Sequence, residues 1–179
     1  MRLAMIPMRI IKDWLADGSN GVNAELAAMT ADDLDTNDTV PPNVATIIDE
    51  SRDGNAALKL VPGDMSLPAL LIFQSEAFAI PIGVSQGKIK ATVGPIAIAY
   101  AIRSSATAAG KEDAFYTMDA VYRSINNLFI GNGATRTRAG IQLVNLRNLD
   151  LAPMDEQVGD ATWTLALIIR FQVHDTRPT

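Results

Sequence analysis

A chain of 179 residues has the length of one ordinary domain, its 48% hydrophobic content suffices for a sizeable core, and its 20% charged content is not that of a disordered chain. The net charge of −5 argues against a sequence-specific DNA binder, which carries a basic footprint, though not against a protein through which DNA passes without sticking. With no cysteine, disulfides, thiolate metal sites and a thiol nucleophile are excluded.

The first segment, MRLAMIPMRIIKDWLADG, lacks a clean apolar run, because Pro7, Arg9, Lys12 and Asp13 interrupt it, so no signal peptide is expected. No stretch reaches the roughly 18 apolar residues of a membrane-spanning helix, and no membrane partner is expected. Met8, Ile11 and Leu15, with Trp14 beside them, recur at helical spacing, and Pro7 suits the helix start. Gly18 and Gly21 break that helix. Val22, Leu26 and Met29 mark a second, shorter one.

Residues 30–43 read as a loop, with aspartates at 32, 33, 35 and 38 and Pro41-Pro42 holding an extended chain. Residues 44–48 suggest a short strand. Asp53-Gly54 suggests a tight turn, and 30–66 as a whole reads as a loop-rich insert in a single domain spanning 1–179. PALLIFQ (68–74) has the continuous apolar character of a strand covered on both faces.

FAIPIGV and IKATVGPIAIAYAIR, joined through Ser85-Gln86-Gly87, predict a hairpin, with a bend or bulge at Gly94-Pro95. Beyond it Ile96, Ile98, Tyr100 and Ile102 point one way and Ala97, Ala99, Ala101 and Arg103 the other. Small side chains let another surface approach closely, so this alanine face predicts cover by a neighbouring element or subunit. Residues 111–130 predict a helix, with Phe115, Met118, Tyr122, Ile125 and Phe129 as its buried stripe. Glu112 and Asp113 favour its N-terminus and Gly131 and Gly133 its end.

GNGATRTRAG (131–140) reads as a basic loop. IQLVNLRNLDL (141–151) alternates imperfectly and predicts a bulge near Val144. Residues 153–160 read as an acidic turn. The final strand places Trp163, Leu165, Leu167, Ile169, Phe171 and Val173 on one face, with Arg170, Gln172 and His174 on the other. The pattern is α+β, a small mainly antiparallel sheet with helices packed on one face.

Each chemical motif fails at a named position. Gly110-Lys111 precedes a helix, but a phosphate loop needs glycine at Ser105 and Ser or Thr at Glu112. Gly131-x-Gly133 lacks the third glycine of a dinucleotide loop and follows a helix. A calcium loop starting at Asp33 needs glycine at Asp38 and glutamate at Val44. The lone histidine, His174, has no Gly-x-Ser-x-Gly nucleophile to serve. No catalytic residue, cofactor or metal is expected, and the chain reads as not an enzyme. Arg136, Arg138 and Arg147 have no interleaved aromatics to stack bases, and read as a solvated loop or, as the functional alternative, a salt-bridging contact with an acidic neighbouring subunit.

Five segments, IIKDWLADG, PALLIFQ, the hairpin through 76–103, DAFYTMDAVYRSINNLF and NLRNLDLAPMDEQVGDATWTLALIIRFQVHD, carry a resemblance over most of the chain outside 30–66. In layout it resembles the tail terminators of long-tailed bacteriophages and, more broadly, tail-completion and neck proteins. That resemblance implies a homo-oligomer, a hexameric ring at the head-proximal end of the tail tube. Such a ring ends tube polymerisation and joins the tail to the head connector or stopper protein. DNA passes its lumen without specific binding. The location implied is the virion tail or neck, after assembly in the host bacterial cytoplasm. Ala97, Ala99, Ala101, Arg103, Arg136 and Arg138 are the candidate ring-interface residues. On this reading a large polar residue at Ala99 blocks assembly and leaves the monomer folded. The alternatives are another head–tail joining protein of the neck or stopper kind, or a small-ligand-binding or enzymatic α+β domain.

Overall fold

The computed structural model describes residues 2–35, 38–49, 66–74, 82–85, 88–103, 108–131, 133–158 and 161–175. The expected Asp53-Gly54 turn, residues 78–81 of the expected FAIPIGV strand, and Gln86-Gly87 of its turn lie outside them. Helix α1 spans Arg2–Leu15 and encloses Pro7, which is therefore interior and does not start the helix. The reason is packing: Ile6, Met8, Ile10, Ile11 and Leu15 are all buried, and that burial outweighs the missing proline N–H. Helix α2 is Val22–Ala27. Gly21 caps it where a Cβ would lie 2.3 Å from the Leu15 carbonyl oxygen, so the tight α1–α2 corner requires glycine. Met29 is buried but lies beyond the end of α2.

Among the described residues seven strands form one sheet: β1 (Thr46–Asp49), β2 (Ala69–Gln74), β3 (Ile82–Ser85), β4 (Lys88–Arg103), β5 (Thr137–Arg138), β6 (Ile141–Val158) and β7 (Ala161–Asp175). The order is β1-β2-β4-β7-β6-β5, with β3 on one end of β4. Of the described strand pairs only β1–β2 is parallel. Helix α3, Ala108–Ile130, connects β4 to β5. The α+β class and mainly antiparallel sheet are thus observed.

Bulges set the faces of the long strands. Gly94-Pro95 gives β4 one residue more than β7 between Val93 and Ile96, as its sequence predicts. Gly94 has φ +129°, and a Cβ there would lie 2.6 Å from the Ile169 carbonyl oxygen. Strand β6 holds extra residues at Val144, at Arg147 and between Pro153 and Glu156. The first two return Leu146 and Leu149 to the side of Ile141 and Leu143. The third lets β6 continue to Val158, so the expected acidic turn at 153–160 is mostly strand.

Two apolar clusters flank the sheet. The larger gathers the three described helices against Leu70, Ile72, Ile96, Ile98, Tyr100 and the Leu165–Val173 alternation. The smaller holds Leu71, Ala97, Ala99, Ala101, Ala161, Trp163 and Ala166 and contains no residue of a described helix. Strand β2 feeds both, as a strand covered on both faces does. Trp163 departs from the expected single face. The extra residue Thr164 on β7 turns it onto the alanine side.

The stripe of α3 also differs from expectation. Its buried line is Ala114, Met118, Val121, Ile125 and Leu128, whereas Phe115 is 59% and Tyr122 41% exposed. The apolar residues of α3 cover more than half its circumference, so periodicity alone does not choose which arc faces the sheet.

Candidate functional site

The six residues singled out from sequence do not form one patch. Ala97, Ala99 and Ala101 are at most 1% exposed within a single chain, so no second copy is needed to cover them. A large polar residue at Ala99 would enter the interior of the single chain and should destabilise the monomer itself. Arg103 is exposed at the end of β4. Arg138 pairs with Asp13 of α1, both partly exposed, and so holds the basic loop against its own chain. The Arg136 guanidinium lies 5.7 Å from the Phe129 ring centre, with its Nε buried. That ring in turn stacks on Phe171.

Among the described residues two open clefts adjoin the helices. One, of about 440 Å³, lies beside the end of α1, between Asp13, Trp14, Asp17, Asn20, Thr137 and Arg138. The Ser19 backbone N–H, then the Asn20 side chain and backbone, donate to Asp17 and hold its carboxyl below the usual range. The Trp14 indole N–H is committed to the Ser124 carbonyl at 2.7 Å. The other cleft, of about 480 Å³, lies within the 29–40 segment and is lined by Met29, Leu34, Asp35, Asp38 and Val40 among others.

That segment is a strap tied to α3 at two points. Asp33 accepts from the Thr30 N–H at 2.8 Å and from Arg123 at 2.6 Å, which hold its pKa at about 2. Arg123 also meets Asp119 one turn back. The Tyr116 hydroxyl donates to Asp38 at 2.5 Å, which pushes the phenol up, and accepts from the Asp35 N–H. Desolvation, then Glu112 and Asp38, push the Asp113 carboxyl up. Where α3 packs on β4 the buried hydroxyls of Tyr100 and Thr117 approach one another without a well-formed hydrogen bond, and burial raises the Tyr100 phenol more than the Thr117 hydroxyl lowers it.

The sheet face away from the described helices divides in two. One end is the buried alanine cluster. The other is polar. Lys90, His174 and Gln142 lie in one cross-strand row, and Thr92, Gln172 and Asn145 in the next. Arg170 lies over Gly94, and exposed Arg147 donates to Gln172 at 2.9 Å. Sequence reasoning found Arg147 and the polar side of β7. It did not find that Lys90 joins them, because that depends on the pairing of β4 with β7. Among the described residues no three His, Cys, Asp or Glu side chains are grouped to hold a metal ion, and no helix is long and apolar enough to cross a membrane.

No family model matches the chain, and a search of curated proteins finds no match. The functional reading therefore rests on layout and surface.

Proposed function

We propose that this chain is a structural virion protein, a tail terminator subunit that forms a ring on the head-proximal end of a phage tail tube. The observation that carries the reading is the succession of elements. Helix α1, the apolar strand β2, the β3–β4 hairpin, amphipathic α3 and the long β6–β7 hairpin follow one another in the order on which the resemblance rests. The surface is in keeping with it. Its prominent features are exposed apolar side chains and opposed charges, which suit contacts between proteins. The partners under this reading are further copies of the chain, the tube protein and the head connector or stopper, with DNA moving through the lumen unbound.

Mass spectrometry of purified virions tests it, with the chain expected at a few copies per particle and gold-labelled chain at the head-proximal tip of isolated tails. Removing the chain should leave tubes that keep growing. Absence from virions, or tails of normal length without it, overturns the proposal.

A further inference from the structure

Two patches of opposite charge lie on the two sides of the sheet, with exposed Asp150 one row beyond Arg170 on the outer face and Arg136 and Arg138 engaged by Phe129 and Asp13 on the helix side. The polar end of the outer sheet face presents Lys90, Arg147 and Arg170. The strap and α3, on the helix side, present Asp32, Asp35, Asp38, Glu112 and Asp119. Arg123 lies among those carboxylates but is engaged by Asp33 and Asp119. The same surface of α3 turns out Phe115 and Tyr122, two helical turns apart and therefore on one line. Exposed aromatic rings beside carboxylates suit a partner that offers guanidinium or ammonium groups, through ring faces and ion pairing together.

We propose that the basic end of the outer sheet face docks on the acidic, aromatic α3–strap surface of a second copy, so that copies associate head to tail. The inference rests on the ring-subunit reading and names the surfaces of its contact. The two patches lie on opposite sides of the sheet and do not overlap, so each copy offers both at once. Such a contact is heterologous, which is the kind that closes a ring. A nucleic-acid backbone fits the basic patch alone, but the net charge of −5 and the carboxylates opposite favour the chain itself as occupant.

The test uses the full chain in sedimentation velocity at low salt. Self-association is expected and weakens as salt rises, because exposed charges are screened. Lys90→Glu with Arg147→Glu, or Asp32→Lys with Glu112→Lys, should each weaken association roughly tenfold or more at unchanged melting temperature. All four substitutions in one chain exchange the two polarities and should restore association. Phe115→Ser, at an exposed position, should weaken it without altering charge. Unchanged association in the two-residue variants overturns the proposal, as does a four-residue variant that stays dissociated. A wild-type chain that remains monomeric at its highest soluble concentration also overturns it. So does single-stranded DNA binding by the wild type that Lys90→Glu with Arg147→Glu abolishes, since the occupant is then nucleic acid. Rescue by charge exchange in a chain absent from virions refutes the tail reading and leaves the contact standing. Normal tails carrying the Lys90→Glu, Arg147→Glu variant refute the contact and leave the tail reading standing.

Discussion

Ala99 lies on the outer face of β4 with no exposed surface, hemmed by the cluster that contains Leu71, Trp163 and Ala166. Replacing it with Gln adds four heavy atoms beyond the methyl, including a polar amide, to a site already filled by its own chain. Overpacking of a well-packed core costs about 1–3 kcal/mol. An amide left without partners adds about 1–3 kcal/mol. Their combination, about 2–6 kcal/mol, is a large part of the roughly 5–15 kcal/mol by which a domain is stable. At about 2–4 °C per kcal/mol for a chain of this size, the melting temperature should fall by roughly 5–20 °C. Circular dichroism melts and urea titrations of wild type and Ala99→Gln measure this directly. A variant with wild-type stability that has lost only its ability to assemble would refute the reasoning, because it would return Ala99 to a surface between copies.

Other substitutions probe the backbone, the strap and the core. Gly94→Ala should destabilise by about 1–3 kcal/mol, since φ is +129° and the added Cβ collides with the Ile169 carbonyl; urea midpoints read the loss. Asp33 is held at about 2 in the folded chain against an ordinary carboxyl value of 3.8, so its contribution is present above about pH 4 and is lost as pH falls towards 2. Wild type should therefore lose stability over that window more steeply than Asp33→Asn, and parallel pH profiles would show that the strap tether contributes nothing. Tyr100→Phe with Thr117→Val removes together two buried hydroxyls that approach one another without a well-formed hydrogen bond, and should leave stability unchanged or raise it by about 1 kcal/mol. A clear loss in chemical denaturation would mean that the pair is satisfied in solution.

Alternation along β4 showed which residues share a face, and Gly94-Pro95 showed where that alternation breaks. Both are properties of neighbouring residues, where glycine conformation and proline chemistry act within the chain. The same local logic located α1, α2, α3 and the β3–β4 hairpin and pointed to a bulge near Val144. It failed where a position is decided by a partner far away in sequence. Pro7 sits inside α1 because the sheet buries the residues around it. Trp163 turns to the alanine side because Thr164 is an extra residue opposite β4, a fact of pairing that β7 alone does not contain. Helix α3 exposes Phe115 and Tyr122 because the sheet meets a different arc of an apolar circumference.

The candidate interface divides along the same line. The sequence by itself marked a row of small residues and a cluster of arginines. Tertiary structure decided that the alanines are interior and that Arg138 binds Asp13. It also decided that Lys90, Arg147 and Arg170 gather at one end of the outer sheet face. Which charges lie together is a matter of strand register and sheet face, and these are set by long-range pairing between β4, β7 and β6.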